Sequence, residues 1–465
     1  MIMANQVYFD KEVIAKYSLT GPRYTSYPTV LHFHDWFTGN IYQEQAALSN
    51  EDLIPSSLSL YFHLPFCRKV CFYCACNKII TNNPAHSVKY LDHLHKEIKM
   101  QGQLFDRDRM VTQLHWGGGT PSYLTNQQMQ ALMVETRNNF TLLDNDAGDY
   151  SVEIDPRVTD TETVSVLRDI GFNRISIGVQ DFDMKVQKSV NRIQPFELTA
   201  GVIEQSRSEG FKSVNIDLIY GLPKQTVASF RQTLEQLSEL NPDRIAVYNY
   251  AHLPHMFKTQ RQINEKDLPT ADEKLAILQY VIDYLQAQGY LYIGMDHFAK
   301  PSDELAIAQQ RGTLYRNFQG YSTHKDCDLV GMGITAISRI GNCYAQNVHG
   351  LDEYYDCVAQ NRIPVSRGLC LDDDDRIRRD VISRLICNFY LDFEEINELH
   401  SVDFREYFRN ELLMLNDMSD DELCFIDETG IKVLPRGRIL IRNICMVFDK
   451  YLRNGTNRKS YSKVI

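Results

Sequence analysis

Four cysteines fall within ten residues, CRKVCFYCAC, positions 67 to 76. Cys67, Cys71 and Cys74 make the pattern CxxxCxxC, and Cys76 follows two residues on. Thiolates this close on one loop can hold several corners of an iron–sulfur cubane. A structural zinc site usually draws two separated short pairs into a tetrahedron, and the chain has no second CxxC pair. The spacing therefore favours a cluster over zinc. Three cysteine ligands would leave one iron open to an exogenous ligand, a site for chemistry as well as electrons. Cys76 need not reach the cluster, because an eight-residue loop wrapped around three corners has little slack for a fourth.

Such a loop has to be positioned by something rigid. Strand-like runs recur at 57–64, 111–116, 150–155, 173–178, 213–221 and 244–250, separated by segments with helical spacing such as VKYLDHLHKEIKM and ASFRQTLEQLSEL. Six βα units in a row imply an α/β fold with a parallel sheet, curled by right-handed crossovers into a partial (βα)6 barrel of TIM type. Reactive groups then belong at the C-terminal ends of the strands. The cysteine loop follows the first strand and Gly117–Gly119 the second, Glu153 and Asp155 end the third, and Gln180 follows the fourth. Asp217 lies late in the fifth, and Tyr248 to Ala251 close the sixth. The expected organisation is an N-terminal strap (1–50), the partial barrel (51–300), a connecting and pocket-closing segment (301–369) and a mainly helical C-terminal domain with a hairpin (370–465).

The chain has 465 residues, 43% hydrophobic and 23% charged, an ordinary globular balance. Its formal net charge of -11 argues against a general nucleic-acid binder, since phosphate contacts need a basic surface. No signal-like run opens the sequence and no apolar stretch reaches the ~20 residues of a membrane span, so a cytoplasmic location is expected. Eleven cysteines, most of them scattered singly, make a poor disulfide framework and point to reduced thiols.

Cysteines in CxxxCxxC after a first strand, with Tyr73 just before the third, resemble the radical S-adenosylmethionine (SAM) superfamily. The motifs GPRYTSYPT, YFHLPFCRKVCFYCACNK, QLHWGGGTPSYL, SVEIDPR, SIGVQDF, VNRIQ, NIDLIYGLPKQT, VYNYAHLPH, GMDHFA and RGRILIRNICMVFDKYLR narrow this to the oxygen-independent coproporphyrinogen III oxidases. They run along essentially the whole chain. The resemblance implies a radical SAM core with one [4Fe-4S] cluster held by Cys67, Cys71 and Cys74, and Cys76 as the family's non-ligating cysteine. Ala75 stands where relatives often have glycine.

The implied activity is oxidative decarboxylation of the ring A and B propionates of coproporphyrinogen III to vinyl groups, giving protoporphyrinogen IX in anaerobic haem biosynthesis. A 5′-deoxyadenosyl radical would start it. Two SAM molecules are implied. Tyr61, Gly118, Glu153 and Ile337 match contacts of the first; Tyr73 (through its backbone), Gly119, Thr120, Gln180, Arg192, Asp217 and Ala251 match contacts of the second. Beside the resemblance, Gly118 suits a backbone that must approach a ligand closely, Arg192 can fork onto a carboxylate, and Asp217 can accept from hydroxyl or ammonium donors. Taken singly, most of these read as ordinary strand, turn or surface residues, as do His63 and His297. No GxxxxGK follows the glycines, so a nucleotide P-loop is not supported.

Arg23 in GPRYTSYPT is a candidate for the tetracarboxylate substrate, against a purely structural strap. A monomer is expected, with an electron donor and acceptor that the sequence does not identify. The nearest rival is the family's haem-binding chaperones, which typically lack a fourth cysteine and a GPRYTSYPT-type segment. Cys76 and residues 21–29 favour the oxidase.

Overall fold

The six expected strands are present, each followed by its helix. They are β1 (Leu58–Leu64), β2 (Met110–Gly118), β3 (Asp149–Ile154), β4 (Arg174–Gln180), β5 (Ser213–Tyr220) and β6 (Arg244–Asn249). Each pairs in parallel with the next. The computed structural model describes residues 6–325 and 327–453. The first five residues of the strap and 454–465 of the C-terminal domain lie outside the described residues.

Local chemistry sets the helix starts. Thr125, Thr226 and Thr270 close capping boxes on the helices Asn126–Asn139, Val227–Leu240 and Ala271–Ala287, and Asp160 caps Thr161–Asp169. These helices cover the outer face of the sheet, where Val152, Ile177, Val214 and Ile216 are fully buried. The partners on the inner face differ. Ser151, Glu153, Ser176, Gly178, Asn215 and Asp217 are only half-buried, as are Tyr61 and His115. Side chains alternate along a strand, so one face packs and the other lines an incompletely filled lumen.

The sheet is wider than the six units. Beyond β6 an antiparallel hairpin, β7 (Leu291–Gly294) and β8 (His297–Ala299), is added, with β8 against β6. At the other edge β9 (Asp328–Met332) pairs in parallel with β1, making seven parallel strands. Strands β10 (Ile337–Ile340), β11 (Cys343–Asn347) and β12 (Val365–Cys370) then continue antiparallel. Residues 301–369 thus contribute four strands to one edge. Among the described residues no ladder joins β12 to β7, so the sheet curls without a strand-to-strand seam.

The strap crosses to the far end of the chain. Tyr24 donates to Asp449 at 3.0 Å, Arg442 donates to the carbonyl of Pro22, and His34 bridges Gly368 on β12. The C-terminal region packs the helix Asp373–Asn388 against Ile441–Val447 and carries a small sheet. Its hairpin pairs Cys424–Ile426 with Gly430–Val433, and Tyr390–Asp392 adds a third strand.

One cysteine pair departs from the expectation of reduced thiols. Cys343 and Cys370 stand directly opposite each other on β11 and β12, with Cα atoms 4.1 Å apart, and are disulfide-bonded. Close cross-strand approach brings their Cβ atoms together. The other nine cysteines are outside this disulfide.

Candidate active site at the mouth of the lumen

The cysteine loop leaves β1 through a two-residue strand, Phe66–Cys67, pinned in parallel to Ile79–Ile80. The pairing closes the loop, so residues 68–78 project as one unit over the strand ends. Thr120, just past β2, lies 3.3 Å from the Cys67 sulfur. Burial pushes the Cys67 thiol up to about 11 against the lowering effect of that hydroxyl. Two guanidiniums donate to the Cys71 sulfur: Arg157 at 3.4 Å and Arg192 at 3.6 Å. Both also pair with Asp155, at 2.6 and 3.2 Å. Burial opposes ionisation of Asp155, but Arg192 and Arg157 outweigh it and hold the carboxyl below its usual range. Cys76 is exposed at the loop's edge and donates to Cys74, which holds Cys74 low and Cys76 high.

The glycines after β2 are there for contact. A Cβ on Gly119 would lie 2.5 Å from the carbonyl carbon of Pro65, and one on Gly118, which has φ 108°, would lie 2.8 Å from the His63 ring. The first would push the loop's entry off the strand end, and the second would displace the His63 ring. The loop's far side is tied by Gln260, whose amide donates to the carbonyls of Tyr73 at 3.0 Å and Ala251 at 3.2 Å. Thr259 reaches the Cys74 carbonyl at 3.2 Å.

Inside the lumen, Tyr61 stacks on His115 with ring centroids 5.8 Å apart. His115 bridges Ser151 at 2.6 Å and Glu153 at 3.2 Å. Burial pulls the Glu153 carboxyl upward, yet the His115 contact, the Gly118 N–H and His63 win and keep it below the usual range. Asp217 goes the other way. Burial and then the nearby Glu153 charge push it up to about 6, although Asn215 and Ser176 donate to it at 2.9 and 3.2 Å. Gln180 ends β4 with φ 72°, beside Gly178 and Arg192. Ile337 closes over Gly331, the residue opposite Tyr61: a Cβ there would meet the Ile337 carbonyl at 2.6 Å.

The cysteines and the expected cofactor contacts lie around the loop and the strand ends below it, whereas Arg23 pairs with Asp296 in the turn between β7 and β8, next to His297. Arg157, Gln260, His115, Ser176 and Asn215 were not singled out. Arg157 stands in SVEIDPR, one residue past a strand-end proline, and could have been found there. His115, Ser176 and Asn215 could have been found as lumen-side alternates on their strands; nothing local marks Gln260.

The residues fit an iron–sulfur cluster. Three thiols share one loop, two guanidiniums supply positive charge to the Cys71 sulfur, and the glycines leave a cradle that side chains would fill. Among the described residues no three metal-ligating side chains converge on one point; a cubane asks only that each thiolate reach its own corner.

Residues 61–237 match the Radical SAM superfamily model, and 371–440 match the HemN C-terminal domain. The chain is 50% identical to the oxygen-independent coproporphyrinogen III oxidase of Escherichia coli over 461 residues, 99% of each chain. It is 48% identical to that of Pseudomonas aeruginosa over 463 residues, covering 100% of both. The solved E. coli coproporphyrinogen III oxidase (HemN), described as a radical SAM enzyme, superposes with a TM-score of 0.91 at 49% identity, over 96% of this chain and 100% of that one. With this loop at the lumen's mouth and relatives aligned end to end, the chain belongs to the oxygen-independent coproporphyrinogen III oxidases of the radical SAM superfamily.

Proposed function

We propose that this chain converts coproporphyrinogen III to protoporphyrinogen IX without oxygen, in haem biosynthesis, by decarboxylating the ring A and B propionates. What carries the reading is the juxtaposition of the cysteine loop with a half-open, polar lumen, in a chain related end to end to enzymes of that name. Each propionate becomes a vinyl group by losing one hydrogen atom, one CO2 and one electron. When bound, a cluster on Cys67, Cys71 and Cys74 together with SAM supplies the reducing electron and the 5′-deoxyadenosyl radical that takes the hydrogen atom.

The protein's own work is binding and placement. Tyr61, Gly118, Glu153 and Ile337 border the place of a first SAM. Tyr73 and Ala251 by their backbones, with Gly119, Thr120, Gln180, Arg192 and Asp217, border that of a second. The stack of Tyr61 on His115 gives one flat wall, and ionised Glu153 would meet the positive groups of a bound cofactor. Arg157 and Arg192 steady the Cys71 thiolate, and the strap roofs part of the sheet, which limits water at the radical. The chain acts as a monomer in the cytoplasm, with a separate electron donor and acceptor and no nucleic-acid partner. In support, no helix among the described residues is long and apolar enough to cross a membrane, and the net charge is -11.

The test is anaerobic. Protein reconstituted with iron and sulfide is given SAM, reductant, an electron acceptor and coproporphyrinogen III, and product mass is followed. Two successive decarboxylations are expected. Haem binding without decarboxylation would move the chain to the chaperone class. Equilibrium dialysis should find two SAM per chain; one would remove the second site.

A further inference from the structure

Two groups of opposite charge lie near Tyr248. Glu153 and Asp217 form one. Tyr248 lies near both, since, beyond burial, Asp217 and Glu153 raise the pKa of its hydroxyl while Arg23 and Arg316 lower it. Arg23, from the strap, ion-pairs with Asp296 in the turn between β7 and β8. Among the described residues Arg316 has no such partner. Its residue is 8% exposed, and its contacts are a hydrogen bond to the Arg23 carbonyl at 3.4 Å and a cation–π approach to Tyr321, 5.3 Å from the ring centroid. Its Nε is buried without a hydrogen-bond partner, and among the described residues no carboxylate lies within ion-pair reach.

A buried guanidinium without an acid is unfavourable unless something completes it. The surroundings accommodate an anion. His297 lies edge-on to Tyr321 at 5.2 Å and to Tyr248 at 5.9 Å, and its Nδ1 also lacks a partner. Burial, then Arg316 and Arg23, push His297 down to about 3, so it offers a neutral ring at physiological pH. A small cleft runs beside Arg316, lined also by Tyr24, Tyr27, Tyr315 and a second guanidinium, Arg379.

We propose that Arg316, with Arg23 beside it, is a carboxylate site that holds a propionate the substrate keeps, one of those on rings C and D. This rests on the function proposed above and adds which end of the substrate is gripped. A propionate that leaves as CO2 must give up its charge on the way. A forked guanidinium would stabilise that carboxylate in the ground state more than in the transition state and oppose the reaction. A retained propionate carries no such penalty. Gripping it beside Tyr321 and His297, rather than at Glu153 and Asp217, leaves the reacting propionates free to meet the cofactor.

The experiment compares wild type, Arg316→Gln and Arg316→Lys in steady state on coproporphyrinogen III and on its tripropionate intermediate, whose ring A already carries a vinyl group. Binding of coproporphyrin III, the stable oxidised analogue, is measured in parallel by fluorescence. R316Q should raise KM and Kd ~10–100-fold, the scale of a charge-assisted hydrogen bond, equally on both substrates, with kcat changed less than about threefold. R316K should recover part of the loss, since it keeps the charge and not the fork. Unchanged KM and Kd in a protein of normal cluster content would overturn the proposal. So would a loss on coproporphyrinogen III that vanishes on the tripropionate, since Arg316 would then hold a propionate that leaves. If R316Q does not retain its cluster, R316K carries the same comparison. Failure of the wild type to decarboxylate would sink the proposed function alone, because the coproporphyrin III Kd ratio still decides the anchor.

Discussion

Asp217→Asn tests the electrostatics of the lumen before any ligand is added. Burial and the neighbouring Glu153 raise the Asp217 carboxyl from 3.8 to about 6. A folded-state pKa above the unfolded one means stability that is fully present below about 3.8 and lost as pH rises through about 6. A shift of this size costs about 3 kcal/mol once both states are ionised, at 1.36 kcal/mol per unit, and roughly half of that falls between pH 5 and 7.5. Asparagine is near-isosteric, can still accept from Asn215, and can donate to the Ser176 hydroxyl. The apo variant should therefore gain on the wild type by about 1–2 kcal/mol between pH 5 and 7.5. Urea unfolding of both proteins at the two values checks this, read by fluorescence of Trp116, which is fully buried in the core, and by circular dichroism. Other buried carboxyls titrate in both proteins and cancel in the difference. A difference that does not change with pH would refute the argument that burial against Glu153 holds this proton.

Serine at Cys67, Cys71 or Cys74 should abolish iron and sulfide retention after reconstitution, and Cys76→Ser should keep both; iron, sulfide and visible absorbance decide. Arg192→Gln leaves Asp155 with one guanidinium and should cost about 3–5 kcal/mol. Because the Asp155 carboxyl is held low, that contribution is present above about 3.8 and fades as pH falls, so the deficit in urea should be larger at pH 7 than at pH 4. Gln260→Ala frees the carbonyls of Tyr73 and Ala251 and should destabilise by about 1–3 kcal/mol. It should also weaken SAM binding in equilibrium dialysis while cluster content holds.

The six βα units were legible because each strand is a short apolar run, five of the six are closely followed by glycine, proline or a carboxylate, and most of the helices bring their own caps. The site was legible for a related reason. Strand-end positions are adjacent in space whatever the loop lengths between them, so Glu153, Gln180 and Asp217 could be grouped without knowing a distance. The strand Asp328–Met332 was not legible. Its sequence, DLVGM, is too short to show a period, and its partner β1 lies more than 260 residues earlier. Gln260 and Arg316 share that obscurity. Each sits on a short element, the helical turn Lys258–Gln262 and the strand Tyr315–Asn317, and acquires meaning only from distant backbone or charge brought beside it. The Cys343–Cys370 pair depends on a register across β11 and β12 that no spacing rule supplies.

The division of charge around Tyr248 matches the two proposed ligands. SAM carries a sulfonium and an ammonium against one carboxylate, and the porphyrinogen carries only carboxylates, so on the proposed placement each would neutralise the group it meets. For the cofactor this has a measurable consequence. A cation beside Asp217 offsets the burial and repulsion that raise its pKa, returning the carboxyl towards 3.8, and the proton must leave as SAM binds. At pH 6 about half a proton per chain should be released, and at pH 8 almost none. Calorimetric titration of the reconstituted protein in two buffers of different ionisation enthalpy reads this number directly, without turnover. Asp217→Asn should abolish the release while the protein still takes up SAM at the first site. Equal heats in both buffers at pH 6 would mean that Asp217 keeps its proton, and that the cationic end of the cofactor is met by Glu153 alone.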